Sequence, residues 1–199
     1  MLVLAFDTAT DVATVALVRD EAVLGERASR AVRVLADVEE LLGEAALRSP
    51  EVEGLVVGTG PGTYTGLRMG LITARTLSFS LGVPVAGVST LAALSAGAAG
   101  AVPVIDGRRS EVFTLLDGEP RCLPADELPV EAGRSYLGDG AVRFRAQIEA
   151  AGGLVPPDDA DEHVPWARHH AALAREFGPA DTVEPIYLRV PDAERALQR

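Results

Sequence analysis

The sequence predicts an α/β protein built of two related units, the second reduced relative to the first. Three observations predict this. Residues 1 to about 99 read in the order βββαβαβα. An apolar strand that ends in aspartate occurs twice, at residues 2–6 before Asp7 and at 102–105 before Asp106, 99 positions apart. Each is followed by a short polar turn and a second apolar strand, at 13–18 and 112–116. The units expected are therefore 1–100 and 101–199.

The elements follow in order. Residues 2–6 form a continuous apolar run, which suits a strand covered on both faces. Strands at 13–18 and 22–28 complete a meander, with a turn at Arg19-Asp20. Residues 34–47 read as a helix. Leu35, Val38, Leu42 and Ala45 recur on one face, and Glu39, Glu40 and Glu44 lie elsewhere. After Ser49-Pro50 comes a short buried strand at 55–57, then the turn Gly58-Thr59-Gly60-Pro61-Gly62. The next helix spans 65–81, with one stripe of Leu67, Leu71, Ala74, Leu77 and Leu81. Met69, Ile72 and Phe79 add apolar surface off that stripe, and Gly66 and Gly70 leave room for a close neighbour. A helix apolar on more than one face is either deeply buried or at an interface. Gly82 suits its C-terminal stop. A strand at 83–88 leads to a short helix at 90–97, capped by Ser89 or Thr90. In the second half, 135–138 reads as a strand and 143–151 as a helix stopped by Gly152-Gly153. Residues 155–162 form a proline- and aspartate-rich loop, and 165–177 are helical with Pro165 in the first turn. Residues 183–189 are extended, and 192–199 form a short helix or a frayed tail.

Composition excludes several chemistries. All 18 basic residues are arginine. Without lysine there is no P-loop lysine, no Schiff base and no lysine general base. The net charge is −11 and the arginines are scattered, with Arg108-Arg109 the one adjacent pair. That argues against a strong grip on RNA by this chain alone, because phosphate neutralisation supplies much of such affinity. Cys122 is the sole cysteine, so no internal disulfide forms. No apolar run approaches the roughly 20 residues of a membrane span. The first strand lacks the basic start and cleavage site of a signal peptide, so a cytoplasmic protein is expected.

Three turns carry candidate chemistry. In Asp7-Thr8-Ala9-Thr10, amides and hydroxyls can approach a phosphate and Asp7 can hold a metal through water. The alternative is a polar hairpin with Asp7 satisfied by its own turn. Gly60, Gly62 and Thr63 lie between a buried strand and a helix start, where anions bind in many α/β folds. The alternative there is a tight turn that lets Gly66 and Gly70 pack closely. Asp106 and Arg108 are the counterpart in the second unit. His163, His169 and His170 are six, seven or one apart, which does not make a helical metal pair. No G-x-S-x-G elbow exists, and Ser78 and Ser80 lie within an apolar helix.

The run from Gly58 to Gly70, GTGPGTYTGLRMG, resembles the G-x-G-P-G-S/T-F/Y-T-G-L-R-x-G signature of the bacterial TsaB (YeaZ) family. Phe6-Asp7-Thr8-Ala9-Thr10, Val88-Ser89-Thr90-Leu91, the segment from Ile105 to Phe113 (IDGRRSEVF) and Pro185-Ile186-Tyr187-Leu188-Arg189 resemble further family segments, in order along the chain. The resemblance implies the actin-like ATPase fold, with two RNase H-like lobes, and places Asp7 and Asp106 on either side of its phosphate position. It implies a non-catalytic partner of the catalytic paralogue TsaD, with the ATPase TsaE, in forming N6-threonylcarbamoyladenosine next to the tRNA anticodon. ATP or ADP and metal are then expected in the partner subunits, with none in this chain, and tRNA is reached only through the complex. TsaD-like proteins carry an H-x-x-x-H metal motif on their first helix, and this chain has no histidine before His163. Family members often show a His-Ser pair before the first helix, where this chain reads Ser29-Arg30-Ala31-Val32-Arg33.

The interface expected for a partner, or for a second copy of this chain, comprises Leu35, Val38, Leu42, Gly66, Arg68, Met69, Gly70, Ile72, Thr73 and Phe79. Two enzymatic readings compete. One is a small-molecule kinase or ATPase of the same fold using Asp7 and Asp106. The other is a peptidase, for which no nucleophile or metal set is present.

Overall fold

The computed structural model describes residues 1–189; the tail reading at 192–199 lies outside them. The first half contains β1 (Leu2–Asp7), β2 (Ala13–Arg19), β3 (Ala22–Ser29), α1 (Val34–Glu44), β4 (Gly54–Gly58), α2 (Tyr64–Leu81), β5 (Val85–Val88) and α3 (Thr90–Ala96). Its five strands lie in the order β3-β2-β1-β4-β5. The meander β1–β3 is antiparallel, and β4 and β5 add parallel to it.

Period-two alternation explains how this sheet is covered. Large residues on one face, Leu4, Phe6, Leu17, Leu55 and Val57, pack with Val38, Leu41 and Leu42 of α1 and Leu71 and Ala74 of α2. The opposite face carries smaller residues, Ala5, Ala16, Val56 and Ala86. Those small side chains let a later helix, which carries Ala167, lie close against the strands.

The second half contains β6 (Val102–Arg108), β7 (Glu111–Leu116), β8 (Glu119–Pro124), β9 (Tyr136–Leu137), α4 (Asp139–Arg143), α5 (Arg145–Ala150) and α6 (Ala167–Leu173). The strand order β8-β7-β6-β9 repeats β3-β2-β1-β4, antiparallel within the meander and parallel at β6–β9. No fifth strand follows among the described residues. The chain instead returns to the first sheet, where α6 packs.

Several readings of the second half change. Residues 119–124 form a strand that the sequence hides. With Pro120 and Pro124 it lacks an unbroken apolar run, and it is tolerated because it is an edge strand. The helix expected at 143–151 is two short helices with a break at Phe144. The one expected at 165–177 shortens to Ala167–Leu173. Residues 183–189 run without ladder pairing. Among the described residues no helix is long and apolar enough to cross a membrane.

Candidate functional site

Asp7 ends β1 and is 1% exposed. Its Oδ1 accepts the Ala9 N–H at 2.6 Å, and its Oδ2 accepts the Thr90 hydroxyl at 2.6 Å. His170 Nε2 lies 2.7 Å from Oδ2. The contact is close but is not a well-formed hydrogen bond. Burial pushes the Asp7 carboxyl up, but the His170 charge and the donors around it outweigh burial and hold it below the usual carboxylate range.

The glycine-rich turn lies flat on the β1–β2 turn. Thr63 N–H donates to Ala9 O at 2.7 Å, and a Cβ at Gly62 would overlap that same carbonyl. Thr8 Oγ1 donates to Gly66 O at 2.7 Å. Cβ atoms at Gly66 and Gly70 would run into Thr8. The close neighbour that these glycines admit is thus the Asp7–Thr8 turn of the same chain. Gly60 N–H donates to Thr90 Oγ1 at 3.1 Å, and Gly66 N–H to Thr63 Oγ1 at 3.3 Å. The amides of Gly60, Thr63 and Gly66 are spent within the protein.

Asp106 mirrors Asp7 at the end of the second apolar strand. It is buried, and its Oδ2 meets Arg108 Nη1 at 2.9 Å and Arg143 Nη1 at 2.6 Å. Arg108 Nη2 also faces both oxygens of Asp11, at 2.7 and 2.8 Å, a bifurcated ion-pair contact between the two halves. The backbone here is left-handed at three successive non-glycine residues, Arg108, Arg109 and Ser110, with φ of 63°, 53° and 60°. Ion pairing by Arg108 helps offset that strain. Asp139 at the start of α4 accepts the Asp106 N–H at 2.9 Å. Its burial, with the nearby Asp106 and Asp11 charges, holds its carboxyl above the usual range.

A cleft of about 300 Å³ separates residues 62–65 from Asp106, Gly107 and Arg108. Residues 186–189 form its third wall. Ile186 N–H donates to Thr59 O at 2.8 Å, and Arg189 Nη1 reaches Gly107 O at 2.9 Å and Glu111 Oε2 at 2.8 Å. Tyr187 lies against Tyr64, ring centroids 5.6 Å apart, and Arg68 covers the Tyr64 ring. The residues present do not fit a metal–nucleotide pair. Both strand-end carboxylates are engaged by side chains of this protein, Asp7 by Thr90 and His170 and Asp106 by Arg108 and Arg143. Among the described residues no cluster of three or more His, Cys, Asp or Glu could hold a metal.

The residues expected at a partner interface divide into two sets. Val38 and Leu42 belong to the first core, and Gly66 and Gly70 face Thr8, so these four are consumed inside the protein. Their spacing is the same for a core stripe as for an interface stripe. Phe79 is 92% exposed and Ile72 is 61% exposed; Leu35 and Arg68 are also exposed, and Met69 and Thr73 are half-buried. Two residues central to the site, Thr90 and His170, were not among the expected site residues. Thr90 has a local signal, since two residues there compete to cap α3. Ser89 takes the cap, accepting Ala92 N–H, which leaves the Thr90 hydroxyl for Asp7. His170 has none, because nothing in the chain order connects it with Asp7.

Two meander-opened lobes, unequal in size and facing across a cleft, define an actin-like protein. A family model described as "TsaD: tRNA N6-adenosine threonylcarbamoyltransferase" matches residues 21–124, just over half of the chain. The Bacillus subtilis tRNA threonylcarbamoyladenosine biosynthesis protein TsaB is 31% identical, over 98% of this chain and 96% of its own. The Escherichia coli protein of that name is 35% identical over 57% of this chain and 53% of its own. A Pseudomonas aeruginosa structure described as similar to peptidase YeaZ superposes with a TM-score of 0.77 at 28% identity, covering 94% of this chain and 99% of that one. The chain belongs to the TsaB (YeaZ) family.

Proposed function

We propose that this protein is an accessory, non-catalytic subunit in the formation of N6-threonylcarbamoyladenosine in tRNA. The relatives' names supply the pathway. The observation that carries the accessory role is that Asp7 and Asp106, the two carboxylates where an actin-like ATPase meets its metal–nucleotide, are both engaged by side chains of this protein. Chemistry then belongs to a TsaD-type partner, supplied by a TsaE-type ATPase. Nucleotide and metal reside in those subunits, tRNA is engaged through the complex, and all of this takes place in the cytoplasm.

The face offered to the partner is the exposed side of α2, with Ile72 and Phe79 at its centre, and Leu35 of α1 is exposed as well. Alone, the protein uses the same face to pair with a second copy. Apolar side chains this exposed are worth about 1.5–3 kcal/mol each when fully buried. Ile72→Glu and Phe79→Arg should therefore abolish association in sedimentation and pull-down, with stability changed by less than about 0.5 kcal/mol, as expected for surface positions. Unaltered binding by both variants would remove this face from the interface.

Reconstitution by omission tests the function itself. Synthetase, TsaD-type subunit, ATPase, tRNA, threonine, bicarbonate and ATP are combined with and without this protein, and modified adenosine is read by nucleoside mass spectrometry. Dependence on the chain is the expected result. Equal modification without it refutes a required role.

A further inference from the structure

His170 is a fully buried titratable side chain in a molecule that gives it no solvent and no surface role. It comes from α6, which the small residues Ala5, Ala16, Val56 and Ala86 admit close to the first sheet. Its two ring nitrogens each face an oxygen: Nδ1 lies 3.2 Å from Trp166 O, and Nε2 lies 2.7 Å from Asp7 Oδ2. A backbone carbonyl and an ionised carboxylate accept hydrogen bonds and do not donate them. A neutral imidazole has one proton and would leave the other nitrogen's lone pair against an oxygen lone pair. With Asp7 ionised, the form that the Ala9 amide and the Thr90 hydroxyl donate to, the geometry calls for a proton on both nitrogens. The other groups on Asp7, the Thr90 hydroxyl and the Ala9 amide, are neutral. The neighbouring Arg168 is engaged with Glu26, and His169 lies beside Gly97.

We propose that His170 is a built-in cation seated permanently on Asp7, holding the first lobe's phosphate-type turn in order without any ligand and closing it to an external cation. The packing supports a filled seat. Gly58 lies directly under the Asp7 carboxylate, where a Cβ would overlap it, and Thr90 and His170 cover the Oδ2 side. The consequence reaches α2. Thr8 next to Asp7 holds Gly66 in the first turn of that helix, so the start of α2 is set by the protein's own charge pair. This inference concerns the chain itself and does not depend on the pathway assigned above.

Long-range proton–nitrogen NMR of the full chain, labelled on histidine, tests it at pH 7.5. One histidine, assigned by through-space contacts to Thr90 and Trp166, should show both ring nitrogens protonated. His163 is the internal control. Its Nδ1 accepts the Gly138 N–H, so it should appear as the neutral ring protonated on Nε2. Addition of Mn²⁺, alone and with ATP, should leave the amide intensities of Thr8, Ala9 and Gly60 unchanged. A neutral His170 ring at this pH overturns the proposal. So does Mn²⁺ broadening confined to those three amides.

Discussion

Thr90 shows how much one hydroxyl can govern here. It donates to Asp7 Oδ2 and accepts the Gly60 N–H, so it joins β1, the glycine-rich turn and α3. Thr90→Ala leaves a buried carboxylate short of a donor and a buried amide short of an acceptor. The expected loss is about 2–4 kcal/mol in urea denaturation, since each unsatisfied buried group costs about 1–3 kcal/mol. Asp7 adds a pH signature. Its folded carboxyl sits below the ordinary value, so its stabilising contribution is fully present above the ordinary aspartate range and is lost as pH falls through that range toward the folded value. Asp7→Asn should be markedly less stable than the parent at pH 7 and approach it below about pH 4, where the ordinary aspartate itself titrates. Asp139 carries the opposite sign. Its carboxyl is raised, so ionisation destabilises the fold as pH rises through the folded value. Asp139→Asn keeps an acceptor for the Asp106 N–H and should raise the urea midpoint at pH 7, with the difference vanishing in acid. A midpoint lowered at pH 7 would show that the charge itself is needed there, beside Arg108 and Arg143.

At the scale of elements, the first half and the strands β6, β7 and β9 were legible and the rest of the second half was not, for a physical reason. β1, β2 and β4 are covered on both faces, so continuous apolar runs mark them, and α2 carries a stop signal in Gly82, left-handed at φ 70°. β8 is an edge strand and α4–α5 are single turns broken at Phe144, so neither repeats a pattern long enough to read. The turn Asp7–Thr10 and the glycine-rich turn were both singled out, and the structure brings them together. Their contacts were not readable, because the partner of Asp7 arrives from α6. The two helical glycines were read as a packing device without the identity of the neighbour. Gly70→Ala makes that neighbour measurable. Alanine improves helix propensity by about 1 kcal/mol, but its methyl meets Thr8 Oγ1, which is fixed by its bond to Gly66 O. A net loss of about 1–2 kcal/mol is expected, in the range of overpacked cores. Gly43→Ala in α1 has nothing within 4 Å of the new methyl and should gain about 0.5–1 kcal/mol. Equal effects at both positions would mean that the helix moves away from Thr8 at little cost.

The molecule as a whole is fastened across its cleft by a segment that has no regular structure. Val183 lies in the first core, and Leu188 packs on the cluster of Leu91, Leu94, Ile105, Phe113 and Leu137. Between them Ile186 is bonded to Thr59 in the first half, while Arg189 is bonded to Gly107 and Glu111 in the second. Arg108 on Asp11 adds a second tie, but the exposure of both side chains makes that pair weaker than its short distances suggest. If the strap governs how the halves meet, weakening its apolar anchor should release the cleft before the sheets. Leu188→Asp puts a charge against the second cluster. Hydrogen exchange at the Ile186 amide should then quicken tenfold or more, a change of about 1.4 kcal/mol in opening free energy. The amides of β1 and β4 should keep their protection, because neither strand touches Leu188's cluster. Uniform quickening of all these amides would instead make the strap part of one cooperative core, with no separate opening of the halves. The separation of the two rates therefore decides whether the face of α2 is presented by a rigid body or by a lobe free to move against its neighbour.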